Sequence, residues 1–241
     1  LAAAGARLVL VARSTNKLES LAAKLPGSGH TCVSADVSQL KGRAAVAASC
    51  APGVDVLINA AGVNYFCMLE QQGEDQLRQM LEVNALAPIL LTRLLLPQLK
   101  DSNGAVVNVG SGFGSIGFAG YCGYSASKFA LRGFTEALRR ELADTGVTVQ
   151  YLAPRAVATD MNPPEVVAMN EELGNATDTP EQVASELLAL LASGKPSRHM
   201  GWAERIFAKL NNLLPGLVDS ALVKKLATIR RQAIAAQASS G

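Results

Sequence analysis

Paired metal ligands and a disulfide framework are missing from this sequence. Its 241 residues include four cysteines and two histidines. Cys32, Cys50, Cys67 and Cys122 show no ligand spacing and His30 stands apart from His199, so neither a zinc site nor a disulfide scaffold is indicated. Free thiols fit a reducing compartment, which points to the cytoplasm. No uninterrupted apolar run reaches the ~18 residues of a membrane span, and the start lacks the basic, apolar and cleavage regions of a secretion signal. An excess of one charge is absent too. With 22 basic and 20 acidic residues the net charge is +2, so nothing argues for a nucleic-acid partner.

What is present is enough apolar sequence, 49% of residues against 17% charged, for one large domain with a buried core. Residues 1–4 look like the end of a helix stopped by Gly5, so the chain is expected to open partway through a repeating unit. Strand-like runs follow at 7–11, 31–35, 54–58, 105–109 and 147–152. Helical runs at 16–25, 44–49, 74–100 and 124–143 separate them. This alternation predicts an α/β fold, a doubly wound parallel sheet of Rossmann-like type with helices on both faces. Such sheets bind ligands beyond the carboxyl ends of their strands.

Tyr124 and Lys128 form the pattern around which the rest is organised. Four residues on a helix place a phenol and an ammonium on one face, where a fixed positive charge would pull the phenol's pKa toward neutrality. Ser111 ends a strand thirteen residues earlier and can reach the same place; Ser115 and Ser125 are nearby competitors. At the other strand ends, Arg13 sits where a dinucleotide's adenosine ribose would lie. It favours a 2′-phosphate, hence NADP(H), the alternative being a solvated surface arginine. Asp36 suits an adenine amine, with Val37 beside it to pack the ring, although Asp36 is equally a helix cap. Asn59-Ala60-Ala61-Gly62 has the small residues that let backbone approach a ligand, with Asn59 able to fix the turn; a plain turn explains the composition nearly as well.

Together these pieces resemble the short-chain dehydrogenase/reductase family over about residues 5–160. Asn59 to Gly62 is similar to the family's sheet-stabilising turn, and Ser111, Tyr124 and Lys128 match its catalytic spacing. The resemblance implies that Asn84 is the fourth catalytic position, anchoring a water, and that Val157 and Thr159 meet the nicotinamide carboxamide. It also implies that the 74–100 and 124–143 helices form a two-fold interface, giving a homodimer or homotetramer. Two departures stand out. The family's first strand and glycine-rich diphosphate turn would lie ahead of Leu1, which makes the fold N-terminally truncated, and Arg155 stands where the family usually has glycine.

The function implied is an NADP(H)-dependent oxidoreductase interconverting a carbonyl and a secondary alcohol. The alternative is a catalytically silent relative serving as a binding or scaffold protein, because the diphosphate turn is missing. Residues 161–177, with Met161, Val166, Val167, Met169 and Leu173, form either an apolar lid, which would favour an apolar substrate, or a short helix facing the core. Residues 1–201 make the main domain and 202–241 a helical extension carrying six bases and two acids. The extension's apolar residues recur at helical spacing from Trp202 to Ile229. They pack on protein or lie on a membrane surface, the bases meeting anionic lipid.

Overall fold

The protein is described by a computed structural model covering residues 1–159 and 161–239; the last two residues of the 202–241 extension lie outside this range. Its strands are β1 (Val9–Ala12), β2 (Thr31–Ser34), β3 (Val56–Asn59), β4 (Ala105–Val109), β5 (Thr148–Ala153), β6 (Ala156–Val157), β7 (Thr177–Asp178) and β8 (Ser197–His199). The helices are α1 (Thr15–Ala22), α2 (Leu40–Ser49), α3 (Glu74–Leu81), α4 (Ala87–Asp101), α5 (Cys122–Glu141), α6 (Pro164–Glu172), α7 (Pro180–Ser193), α8 (Trp202–Leu213), α9 (Pro215–Val223) and α10 (Leu226–Ser239). Every strand pairing among the described residues is parallel.

Alternation along β4 shows why both faces of the sheet are covered. Val106 packs with Leu95, Leu99 and Leu138 of α4 and α5, while its neighbour Val107 packs with Leu190 of α7. Both valines are fully buried, as a strand between two helical layers requires. The sheet is not continuous, however. β3, β4, β5 and β8 form one four-stranded sheet and β1 with β2 a separate pair. An opening of about 600 Å³ lies between β1 and β3, lined by Val9, Val11, Leu57 and Ile58. The facing edges of β1 and β3 are thus not bonded to each other.

The 74–100 helix is expected unbroken, but it is interrupted. Glu82–Leu86 forms a π turn, in which the Ala87 N–H donates to the Glu82 carbonyl five residues back. Pro88 gives the reason: in a regular helix it could not donate to the Asn84 carbonyl and its ring would clash there, so the turn widens one residue earlier. Counted through this turn, residues 74–101 form the one described helix long and apolar enough to cross a membrane. Here it is a core helix, with Met80, Leu95 and Leu99 all but fully buried.

The C-terminal segment folds as three helices, α8, α9 and α10, and packs on the main domain. Ile229 and Ala233 of α10 bury against Val166 and Met169 of α6, so these two residues of the 161–177 segment face the core. Arg231 pairs with Glu172 across the same contact. Another part of the tail stays open, where Trp202, Ile206, Leu213, Leu217 and Val223 are all more than half exposed.

The split sheet has a consequence for hydrogen exchange, because only paired and covered amides are protected. Peptides covering β4 and β5 are expected to exchange at least about tenfold more slowly than those covering β1 and β3. Equal protection would mean that the opening is closed in solution.

Candidate active site

The carboxyl ends of β4 and β5 and the first turns of α5 meet at a cavity of about 670 Å³. Ser111, Tyr124 and Lys128 all line it, so the three residues chosen by spacing are brought together. Ser111 follows β4 in extended backbone. Its Oγ accepts from the Phe113 N–H at 3.1 Å, and its own N–H donates to the Tyr151 hydroxyl at 3.3 Å. Tyr151 of β5 leaves room only for glycine on either side: a Cβ at Gly110 or Gly114 would come within 2.0 or 2.2 Å of its hydroxyl oxygen. Sequence reasoning missed this buttress; the signal was a lone phenol in an apolar strand, read together with two glycines flanking Ser111.

Lys128 lies one helical turn after Tyr124, buried, with its Nζ donating to the Val109 carbonyl at 3.1 Å and 5.7 Å from the Tyr124 ring centroid. Burial lowers its pKa from 10.5 to about 8. Tyr124 differs from expectation. Burial raises its pKa, and hydrogen bonding to Ser111 acts in the opposite direction. The phenol lowered by its lysine, expected from the spacing, is therefore corrected: the ammonium is itself desolvated and directed at a backbone carbonyl.

Asn84 is fully buried in the π turn. Its Oδ1 accepts from the Val63 N–H at 2.8 Å, and its Nδ2 donates to the Val63 carbonyl at 2.9 Å and to Ser127 Oγ at 3.0 Å. Ser127 in turn donates to the Tyr124 carbonyl at 2.7 Å. Asn84 thus reaches the first turn of α5 through Ser127. Ser115 is turned elsewhere: its Oγ accepts from Arg132 at 2.9 Å and lies 3.1 Å from His199 Nε2.

The dinucleotide residues divide into free and occupied groups. Ala60, Val157 and Thr159 line the Tyr124 cavity. Arg13 is exposed at the end of β1; its backbone carbonyl accepts from Ser34, and its positive charge helps lower the Asp36 pKa. The Asp36 carboxylate accepts from the Ser38 hydroxyl and N–H, which hold its pKa below the ordinary value, and the Val37 carbonyl accepts from Arg43. Asn59 is buried, with its Nδ2 donating to Asn108 at 2.8 Å and to Thr92 at 3.2 Å; the sequence signal for Asn108 was an amide inside the apolar run of β4. Arg155 pairs with the buried Asp178 of β7 and lies 3.9 Å from Glu204 of α8.

A family model described as short chain dehydrogenase matches residues 1–169. Carbonyl reductase family member 4 of Danio rerio is 35% identical over 200 residues, which are 80% of this chain and 84% of that protein. Among solved structures, a short-chain dehydrogenase from Streptomyces avermitilis superposes with a TM-score of 0.77 at 29% identity, covering 92% of this chain and 89% of that one. An alcohol dehydrogenase from Thermococcus sibiricus, complexed with 5-hydroxy-NADP, superposes with a TM-score of 0.70 at 26% identity, covering 79% and 82%.

The buried ammonium sets a pH-dependent stability cost. Because the folded pKa of about 8 lies below 10.5, the folded state releases this proton first. Stability should therefore rise as pH climbs from 8 to 10.5 and is penalised below that window, by an amount on the order of 3 kcal/mol. Lys128→Met is expected to melt higher than wild type at pH 7, with the gap narrowing by pH 10, in thermal unfolding followed by circular dichroism. A lower melting temperature at pH 7 would contradict it.

Proposed function

The chain belongs to the short-chain dehydrogenase family of oxidoreductases, and we propose that within it the protein is an NADP(H)-dependent enzyme interconverting a carbonyl and a secondary alcohol on an apolar substrate. The observation that carries this reading is the shared cavity of Ser111, Tyr124 and Lys128. The family uses nicotinamide cofactors. The residues present fit the nicotinamide end: Ala60, Gly62, Val157 and Thr159 are small wall residues beside Lys128, and a Cβ at Gly62 would stand 3.3 Å from Asn84 Oδ1. When bound, the cofactor supplies or accepts the hydride.

The remaining work falls to the chain. Tyr124 gives its proton to the carbonyl oxygen in reduction and takes it back in oxidation. Its raised pKa keeps the phenol protonated, as a proton donor must be. Ser111 hydrogen-bonds the same oxygen, held in place by Tyr151. Lys128 sets the charge next to the phenol and offers donors to a ribose. Asn84 fixes Ser127 under Tyr124, and a water anchored near it would restore the proton.

Cofactor preference rests on Arg13, whose exposed guanidinium suits a 2′-phosphate. An apolar substrate is supported by Met161, Leu173 and Phe207 in the cavity wall. The exposed face of α5 at Ala126, Phe129, Ala130 and Gly133 supports a homo-oligomer, readable by light scattering. The open apolar row of α8 and α9 supports contact with a membrane surface, readable by liposome sedimentation.

Tyr124→Phe is expected to lower kcat for ketone reduction by at least about 10²-fold while leaving NADPH affinity within a few-fold. Turnover near wild type would remove Tyr124 as proton donor, and absence of NADPH and NADH binding by the wild type would favour the silent relative. Arg13→Asp should move the kcat/KM preference from NADPH toward NADH, since a carboxylate accepts from a ribose hydroxyl and repels a phosphate. Equal losses with both cofactors would assign Arg13 a structural role.

A further inference from the structure

The Tyr124 cavity extends past the reacting groups to a wall built by α6, α8 and α9, where Met169, Leu173, Phe207 and Leu222 make it apolar. Three cationic side chains line it: Lys128, Arg155 and Lys225. Two of them are already committed. Lys128 donates to the Val109 carbonyl beside Tyr124, and Arg155 is neutralised by Asp178, with Glu204 near it.

Lys225 is different. It lies in the short link between α9 and α10, half-buried, one turn after Leu222. Its Nζ donates to a neutral acceptor, Asn175 Oδ1, at 3.4 Å, and no carboxylate among the described residues pairs with it. An ammonium on an apolar wall whose acceptor among the described residues is a neutral amide can receive a ligand carboxylate, which would form a charge-assisted hydrogen bond there. One ammonium matched by one amide suits a monoanion. A phosphate dianion would call for further cations.

We propose that the substrate is an oxo-carboxylate with an apolar body, whose carbonyl lies at Tyr124 and whose carboxylate is received by Lys225. This deepens the carbonyl-reductase reading and rests on it. Lys225 would act as a specificity residue: the apolar wall accepts the chain of any such ketone, and the ammonium selects those with an anionic end.

The test reads binding, so it is independent of turnover. Trp202, the single tryptophan of the chain, lines the same cavity and reports its occupancy by fluorescence. Octanoate and 1-octanol, equal in length and different in charge, are titrated at pH 7.5 into wild type, Lys225→Met and Lys225→Arg. The wild type should bind octanoate at least about tenfold more tightly than octanol, Lys225→Arg should keep that ratio, and Lys225→Met should bring it near one with octanol affinity unchanged. Equal affinities in the wild type would overturn the proposal, and so would an octanoate preference that survives Lys225→Met. Failure of the reductase reading shows separately, in the turnover of Tyr124→Phe.

Discussion

A chain of buried hydrogen bonds holds the site's foundations in register. Asn59 at the end of β3 donates to Asn108 of β4; Asn108 donates to Thr135 of α5 at 2.9 Å, and Thr135 to the Leu131 carbonyl at 2.7 Å. Thr92 of α4 joins through Asn59. All four side chains are buried, so each polar atom depends on its partner, and removing one would strand the next at a cost of about 1–3 kcal/mol. Two strands and two helices are fixed in this way. Ser111 lies three residues beyond Asn108, and the turn bearing Lys128 lies two turns before Thr135.

On that base, the site keeps a lysine in a position that costs stability. Lys128 donates to the Val109 carbonyl and has no carboxylate partner among the described residues, and its lowered pKa follows from the loss of water. The same burial lifts Tyr124. Desolvation pushes the phenol toward its neutral form and the ammonium toward losing charge, so the pair holds protons on the oxygen more firmly and on the nitrogen less firmly than in water. A proton donor and a nearby donor of tuned charge come from one cause.

Much of the architecture was legible in local pattern. The alternation of strand and helix, the ends of β4 and the α5 positions of Tyr124 and Lys128 follow from periodicity and turn residues. The break at Asn84 was legible in principle, since Pro88 cannot donate to a carbonyl four residues back, but whether the helix kinks, ends or widens depends on packing against α5. Arg155 was marked as a departure from glycine. Its partner Asp178 lies 23 residues on, and nothing in local spacing joins them. The 161–177 segment was undecided between lid and core helix until α10 covered Val166 and Met169.

The sequence by itself determined what neighbours along the chain can do: which residues share a helical face, which strands are apolar on both sides, where backbone must turn. It therefore determined the fold class and the Tyr124–Lys128 spacing. Tertiary structure alone decided the direction of the Tyr124 pKa shift, the buttress of Ser111 by Tyr151, the opening between β1 and β3, and the presence of Lys225 on the cavity wall. The physical reason is that solvation and pairing belong to groups brought together from distant parts of the chain, and both change sign or strength with how completely water is excluded.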